Sequence, residues 1–277
     1  MGSAAAIILN YNSWEDTLKE AKLVREKAGI AWKDIIVIDN CSTNDSARKL
    51  EENASGQYVF LQTGENRGYA SGNNVGLRYA YEKNYKYAWI INNDILFDDE
   101  RILDKLLYVF DKEDQVAVVN PDIYAPDGHM YNRDSVRPTF FDLTLGMLAY
   151  RKKGRVIEDR GGYGYVYRPQ GCCMVVDLEK LREIDYLDEH TFLYSEEIIL
   201  AEKLAEKNYL CVCCKDVNII HDHSKTVKSS MDKRKINKIQ RNSFTYYLKQ
   251  YRKFNTIQIL ICLVFYCLKI SLLNLKT

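Results

Sequence analysis

The stretch Lys86-Tyr87-Ala88-Trp89-Ile90-Ile91-Asn92-Asn93-Asp94-Ile95-Leu96-Phe97 decides the fold. Residues 87–91 form a short apolar run rich in aromatic and β-branched side chains, which reads as a strand buried on both faces. It breaks into three small polar residues carrying one carboxylate. In an open α/β sheet, ligands gather beyond the carboxyl ends of the strands. A single Asp flanked by amides suits one divalent cation already bearing phosphate oxygens, because Mg²⁺ ordinarily takes only one or two protein carboxylates. The same three residues also read as an Asn/Asp turn closing a strand.

Similar units lie on either side. Upstream, residues 4–10 are an apolar run followed by Tyr11-Asn12-Ser13. Ser13 is placed to cap a helix running to about Ala28, with acids in its first turn and Gly29 as its stop. Residues 35–38 form a second buried strand that ends in Asp39-Asn40-Cys41-Ser42-Thr43-Asn44-Asp45. A helix from about Asp45 to Glu52 and a strand at 58–62 come next. Downstream, a helix ending at Phe110, a strand at 116–120, a strand at 171–176 and a helix at 178–183 continue the rhythm. Strand–helix alternation of this kind predicts a Rossmann-like α/β architecture, a mostly parallel central sheet with helices on both faces.

Four further features carry chemistry. Gly64, Gly68, Gly72 and Gly76 recur every four residues ahead of and within a predicted helix. They are not the G-x-G-x-x-G dinucleotide fingerprint, which disfavours a nicotinamide-dependent oxidoreductase. They read either as a phosphate-binding loop or as a loop of tight turns. Glu196-Glu197, after Phe192-Leu193-Tyr194-Ser195, opens a helix with two neighbouring carboxylates. The pair complements the helix dipole, and burial beside like charge raises one carboxyl toward the range of a general base. Strands at 210–214 and 217–220 lead to His221-Asp222-His223, where one histidine is a packed side chain or a metal ligand. Residues 121–168 are loosely patterned, with Tyr150, Tyr163, Tyr165 and Tyr167 available to stack on sugar rings.

With 277 residues, 47% hydrophobic and 28% charged, the chain is of ordinary globular composition, not disordered, and can bury one large core or two small ones. The net charge of +1 conceals a block between Lys225 and Lys253 that holds ten basic residues against the single acid Asp232. Such a block is a solvated face or a surface for anionic lipid or phosphate. The eight cysteines include one C-x₂-C, Cys211 to Cys214, with no second pair to complete a zinc site, so buried reduced thiols are expected. Gly2-Ser3 leads straight into a strand without a basic n-region, so no signal peptide is expected at this start. Residues 257–268 are apolar on all sides apart from Gln258, and Lys269 interrupts the run. That makes a poor bilayer span and a better helix for the membrane surface or for a second subunit.

Six motifs in register carry a family resemblance: Ile8-Leu-Asn-Tyr-Asn-Ser13, Val37-Ile-Asp-Asn-Cys-Ser-Thr-Asn-Asp45, Glu65-Asn-Arg-Gly-Tyr-Ala-Ser-Gly-Asn-Asn74, Asn92-Asn-Asp94, Phe192-Leu-Tyr-Ser-Glu-Glu197 and His221-Asp-His-Ser224. Together they resemble the GT-A family 2 glycosyltransferases, nearest the bacterial rhamnosyltransferase-like enzymes of O-antigen and capsule synthesis. The resemblance implies a catalytic domain over residues 4–225, with a nucleotide-binding half at about 4–120 and an acceptor half at about 121–225. A basic and then apolar helical tail, 226–277, follows.

The same resemblance implies inverting transfer of rhamnose or a hexose from a dTDP- or UDP-sugar to a glycan or lipid-linked acceptor. Asn10, Asn12, Asp39 and Asn40 would hold base and ribose, and Asn66, Arg67, Gly68, Asn73, Asn92 and Asn93 would line the donor pocket. Asp94 and His221 would hold Mg²⁺ or Mn²⁺, and Glu197 or Glu196 would be the base. Here Asn-Asn-Asp stands where the family has its DXD motif, and Glu-Glu where it has Glu-Asp. Expected partners are the donor, the acceptor, the inner face of the cell membrane and a possible second copy, with no nucleic acid. The competing expectation is a non-catalytic nucleotide- or glycan-binding member of a biosynthetic complex.

Overall fold

A computed structural model describes residues 3–131, 133–148, 157–222 and 232–274. Strand β1 (Ala4–Asn10) leads through helix α1 (Trp14–Lys27) to β2 (Ile35–Asp39), and α2 (Ser46–Ala54) returns to β3 (Val59–Gln62). Helix α3 (Tyr69–Glu82) crosses back to β4 (Tyr87–Ile91), which lies beside β1. These four strands are parallel, in the order β3-β2-β1-β4. Every residue of β2 and β4 is buried, as expected of strands covered by helices on both faces.

Beyond β4 the sheet becomes mixed. After the two-residue β5 (Ile95–Leu96) and α4 (Ile102–Phe110) come β6 (Val116–Tyr124), α5 (Leu145–Leu148), β7 (Tyr163–Val166) and β8 (Cys173–Asp177). Strand β8 enters antiparallel between β4 and β6. Then follow α6 (Leu178–Glu183), α7 (Glu196–Glu206), β9 (Leu210–His221), α8 (Lys233–Gln250) and α9 (Thr256–Asn274).

Two differences from the sequence reading matter for the site. Strand β6 does not stop at Asn120 but runs through Pro121 to Tyr124, with a register irregularity between Pro121 and Asp122. A bulge is where a strand tolerates a proline that cannot donate to the ladder. The two strands expected at 210–214 and 217–220 are one strand, β9, bent at the same irregularity. Its far end pairs antiparallel with β5, placing His221 opposite Ile95. That pairing carries His221 to the tip of β4.

The tyrosine-rich segment is also more ordered than expected. Tyr163 and Tyr165 lie in β7, and both hydroxyls meet Glu113. These bonds tie β7 to the Glu113 turn. Tyr150 and His223 lie outside the described residues.

Helices α8 and α9 join a third apolar cluster with Leu143 and Ile199. Glu202 on α7 is the polar centre of that contact, meeting Arg137, Tyr247 and Arg252. Asp188 accepts from the hydroxyls of Tyr246 and Tyr251. Ile259, Cys262, Leu263 and Tyr266 of α9 face inward at helical spacing. The other side of α9 leaves Ile257 (70%), Leu260 (57%) and Val264 (57%) exposed. No helix among the described residues is long and apolar enough to cross a membrane.

Candidate active site

The carboxyl ends of β1, β2 and β4 open on one polar cluster. Asn10 Nδ2 donates to Asp39 Oδ1 at 2.7 Å and to Ser42 Oγ at 3.1 Å. Asp39 is 1% exposed and also accepts from Ser42 through its hydroxyl at 2.6 Å and its backbone N–H at 2.9 Å. Its carboxylate therefore shapes the 40–45 loop first, with acceptor capacity remaining on Oδ2. Asn12 Oδ1 accepts from Thr43 N at 2.8 Å and ties the first loop to the second.

Asn40 joins this cluster to the third loop. Its Nδ2 donates to Asn66 Oδ1 and to Gly68 O, both at 3.2 Å. Arg67 is more than half exposed, with Glu65 and Glu189 nearby. Gly68 has φ +105°, and a Cβ there would stand 1.9 Å from the Phe192 carbonyl oxygen. Tyr69 N donates to that same oxygen at 3.0 Å, so glycine is required where the third loop meets the segment before α7.

Gly72 and Gly76 serve a different purpose. Added Cβ atoms would lie 2.6 Å from Leu9 and 2.8 Å from Ile38, so both let α3 sit close on β1 and β2. The four-residue spacing of these two is helix-on-sheet packing. Asn73, expected in the donor pocket, is 1% exposed and bonds back to Tyr69 O.

The β4 tip is built from both sides. Ser13 stands at the α1 N-cap position but makes no side-chain cap; its hydroxyl accepts from Asn93 Nδ2 at 2.9 Å. Asn93 also donates to Thr17 Oγ1, which in turn donates to Asn10 Oδ1. Asp94 Oδ1 is buried and accepts no hydrogen bond in good geometry, while His221 Nε2 stands 3.2 Å away. Two ligands at right angles, each about 2.1 Å from a small divalent cation, lie about 3 Å apart. The pair therefore fits adjacent positions on one ion, with the remaining positions left for phosphate and water. No cluster of three or more acidic, His or Cys side chains suited to a metal occurs among the described residues, so any such ion would need donor oxygens from a ligand.

Beneath the tip lies Glu20 of α1, which sequence reading missed because it falls in an ordinary helix. It is buried, and desolvation holds its carboxyl well above the usual range despite a hydrogen bond from the backbone of Ile95.

The two glutamates at the start of α7 separate clearly. Tyr194 and Ser195 both have positive φ, 70° and 68°, strain of about 1–3 kcal/mol per residue that the fold must hold in place. Glu197 Oε1 accepts from Gly171 N at 2.7 Å, and Oε2 stands 3.8 Å from Arg168. Glu196 Oε1 is buried without a hydrogen-bond partner, and desolvation pushes its carboxyl up to about 8.

One dipeptide connects these parts. Gly171 binds Glu197 through its N–H, while its carbonyl accepts from Tyr69 Oη at 2.5 Å. Cys172 O accepts from Asn92 N at 2.8 Å. The β4 tip, the start of α3 and Glu197 thus converge on Gly171-Cys172, held from behind by Asn120 Nδ2 on Gln170 O and Cys173 O. In the sequence these residues read only as the start of a strand. A glycine next to an apolar strand was the one available signal.

Known proteins share this fold. The model of Glycosyl transferase family 2 matches residues 5–184. A low-salt glycan biosynthesis hexosyltransferase of Haloferax volcanii is 27% identical over 218 residues, covering 78% of this chain and 66% of the relative. The fold is similar to that of GalNAc-T7 solved with UDP, GalNAc and Mn²⁺, with a TM-score of 0.67, 11% identity and coverage of 91% of this chain and 49% of that one. It is also similar to mannosyltransferase PcManGT from Pyrobaculum calidifontis with GDP-Man and Mn²⁺, with a TM-score of 0.59, 14% identity and coverage of 92% and 65%. The chain spans just under two thirds of the haloarchaeal relative and about half to two thirds of these solved chains.

Proposed function

The chain belongs to Glycosyl transferase family 2, and from that premise we propose that it is an inverting transferase acting on a nucleoside-diphosphate sugar. The observation that carries the reading is that Glu197 and the β4 tip that bears Asp94, the tip through the Asn92 N–H, are both tied to Gly171-Cys172, with His221 beside Asp94. Asn10, Asn12, Asp39, Asn40, Asn66 and Gly68 form the nucleoside end of the donor site, and Asn92 and Asn93 hold the tip that presents Asp94. The Asp94–His221 pair would hold Mg²⁺ or Mn²⁺, which when bound supplies positive charge for the departing diphosphate.

Glu197 is the base. Its Oε1 is fixed by the Gly171 N–H, so Oε2 takes the proton of an acceptor hydroxyl as that oxygen attacks the anomeric carbon opposite the diphosphate. One displacement inverts that carbon and needs no second nucleophilic carboxylate. Glu196, whose Oε1 is buried without a hydrogen-bond partner and whose carboxyl burial pushes up to about 8, is the second candidate for that role. Rhamnose and other hexoses, on dTDP or UDP, are the donors this reading includes, and a glycan or lipid-linked acceptor completes it.

A thermal-shift and turnover screen of UDP-, dTDP- and GDP-sugars with and without Mn²⁺ tests the reading. The expected result is a cation-dependent rise in the unfolding midpoint and slow donor hydrolysis for at least one donor. Binding without any turnover would favour the non-catalytic alternative, and no binding would oppose both.

The exposed apolar side of α9, next to the basic helix α8, supports peripheral attachment to an anionic membrane surface. Vesicles containing phosphatidylglycerol are expected to carry the protein upward in flotation. The double substitution Leu260→Glu and Val264→Glu should abolish this, because both side chains are exposed and neither holds the fold. Flotation unchanged by those substitutions would remove the membrane reading.

A further inference from the structure

The two residues ahead of the glutamate pair, Tyr194 and Ser195, hold left-handed backbone, a conformation that persists only where its surroundings over-determine it. The chain leading to them is pinned on consecutive carbonyls. Phe192 O accepts from Tyr69 N of α3 at 3.0 Å, and Leu193 O accepts from Ser243 Oγ of α8 at 2.8 Å. Ser243 is buried. One turn earlier on α8, the Gln240 side chain meets Tyr194 itself, and its Oε1 accepts from Tyr266 Oη of α9 at 3.1 Å. One turn later, Tyr247 Oη donates to Glu202 of α7 at 3.2 Å. Gln240, Ser243 and Tyr247 stand at i, i+3 and i+7, on one face of the helix. That helix lies outside residues 5–184, the part matched by the family 2 model.

We infer that Ser243 and Gln240 are positioning residues for the base: α8 fixes the turn at Tyr194-Ser195 and, through it, the place of the α7 carboxylates. The inference rests on an α7 glutamate being that base. Both residues act on Leu193 and Tyr194, which precede Glu197 in the chain. Tyr69 pins the same segment from the donor side. Loss of the α8 contacts therefore frees one flank and leaves the network of Asn10, Asp39, Asn40 and Asn66 in place. A hydrogen bond lost from the turn shifts its opening equilibrium by about tenfold, and a base displaced by about 1 Å loses up to about 10²-fold in rate. The expected signature is a fall in kcat with donor KM unchanged.

The test compares the wild-type chain with Ser243→Ala, Gln240→Met and the control Asn242→Ala, whose side chain is exposed on α8. Hydrogen–deuterium exchange read by mass spectrometry needs no substrate. Amides of 193–199 are expected to exchange about tenfold faster in Ser243→Ala and in Gln240→Met. Strands β1, β2 and β4, and the whole Asn242→Ala protein, should match wild type. With the donor that turns over, kcat should fall about tenfold or more in both variants while donor KM stays within about twofold. Unchanged exchange at 193–199 in both variants would overturn the inference, as would faster exchange with kcat unaltered, or a rise in KM alone. Lost protection across the whole sheet would also overturn it, since α8 would then support the entire fold and not the turn. Failure of wild type to turn over any donor counts instead against the transferase reading, and the exchange result then decides by itself whether α8 holds the turn.

Discussion

Replacing Glu197 with Gln is expected to lower sugar transfer by about 10²–10⁴-fold, the usual contribution of a positioned general base. The amide keeps the shape of the side chain and can still accept the Gly171 N–H through its carbonyl oxygen, so the cleft should not collapse. What disappears is the acceptor for the proton. Affinity for the nucleoside diphosphate should therefore change little, and the loss should fall on kcat. Glu196→Gln is the matched control. That carboxyl is buried and raised to about 8 by desolvation, so the amide replaces a group already uncharged at neutral pH and the kinetic effect should be far smaller. Full activity in Glu197→Gln, or a larger loss in Glu196→Gln, would remove Glu197 from the chemistry.

The second large effect is expected at Asp94. Truncation to Ala removes the one carboxylate at the β4 tip and leaves His221 as a single neutral ligand. Loss of a supporting group around a metal already costs about 10–100-fold in affinity, and loss of a ligand should cost at least as much. Titration calorimetry with Mn²⁺ and the nucleoside diphosphate should show binding in the variant reduced to the level wild type shows without Mn²⁺. The fold should survive. Asp94 Oδ1 accepts no hydrogen bond in good geometry, and removing a buried polar atom that lacks a donor relieves a desolvation cost. An unchanged unfolding midpoint with lost cation binding is the expected pair of results. Retained cation dependence would place the ion elsewhere.

The N-terminal half of the fold was legible because its signals are local. Residues 4–10, 35–39 and 87–91 are short apolar runs ending in small polar residues, and the parallel strands β1, β2 and β4 stand there. The parallel order of these strands, with helices on both faces, follows from that repetition. The C-terminal half depends on long-range pairing. Nothing near Pro121 announces that β6 continues, because the bulge that tolerates it depends on β9. His221 comes beside Asp94 only because a two-residue strand pairs with the end of β9.

Within the site, residue type was a better guide than role. Asn10, Asp39, Asn40, Asn66 and Gly68 come together as one network, yet Asp39 spends most of its capacity on Ser42. Ser13 has the composition of a cap and instead receives Asn93. The glycine spacing suggested a phosphate loop, and at Gly72 and Gly76 it records the closeness of α3 to the sheet. Gly171-Cys172, where the site converges, acts through backbone N–H and C=O groups that every sequence position possesses. Side-chain patterns carry no sign of that.

The most direct measurement is a crystal structure of the chain with an intact sugar nucleotide and Mn²⁺. The account predicts Mn²⁺ between Asp94 and His221 with the diphosphate on it, and Glu197 facing the sugar from the side opposite the leaving group. A diphosphate bound away from Asp94, or a sugar whose far face looks on anything other than Glu197, would contradict it.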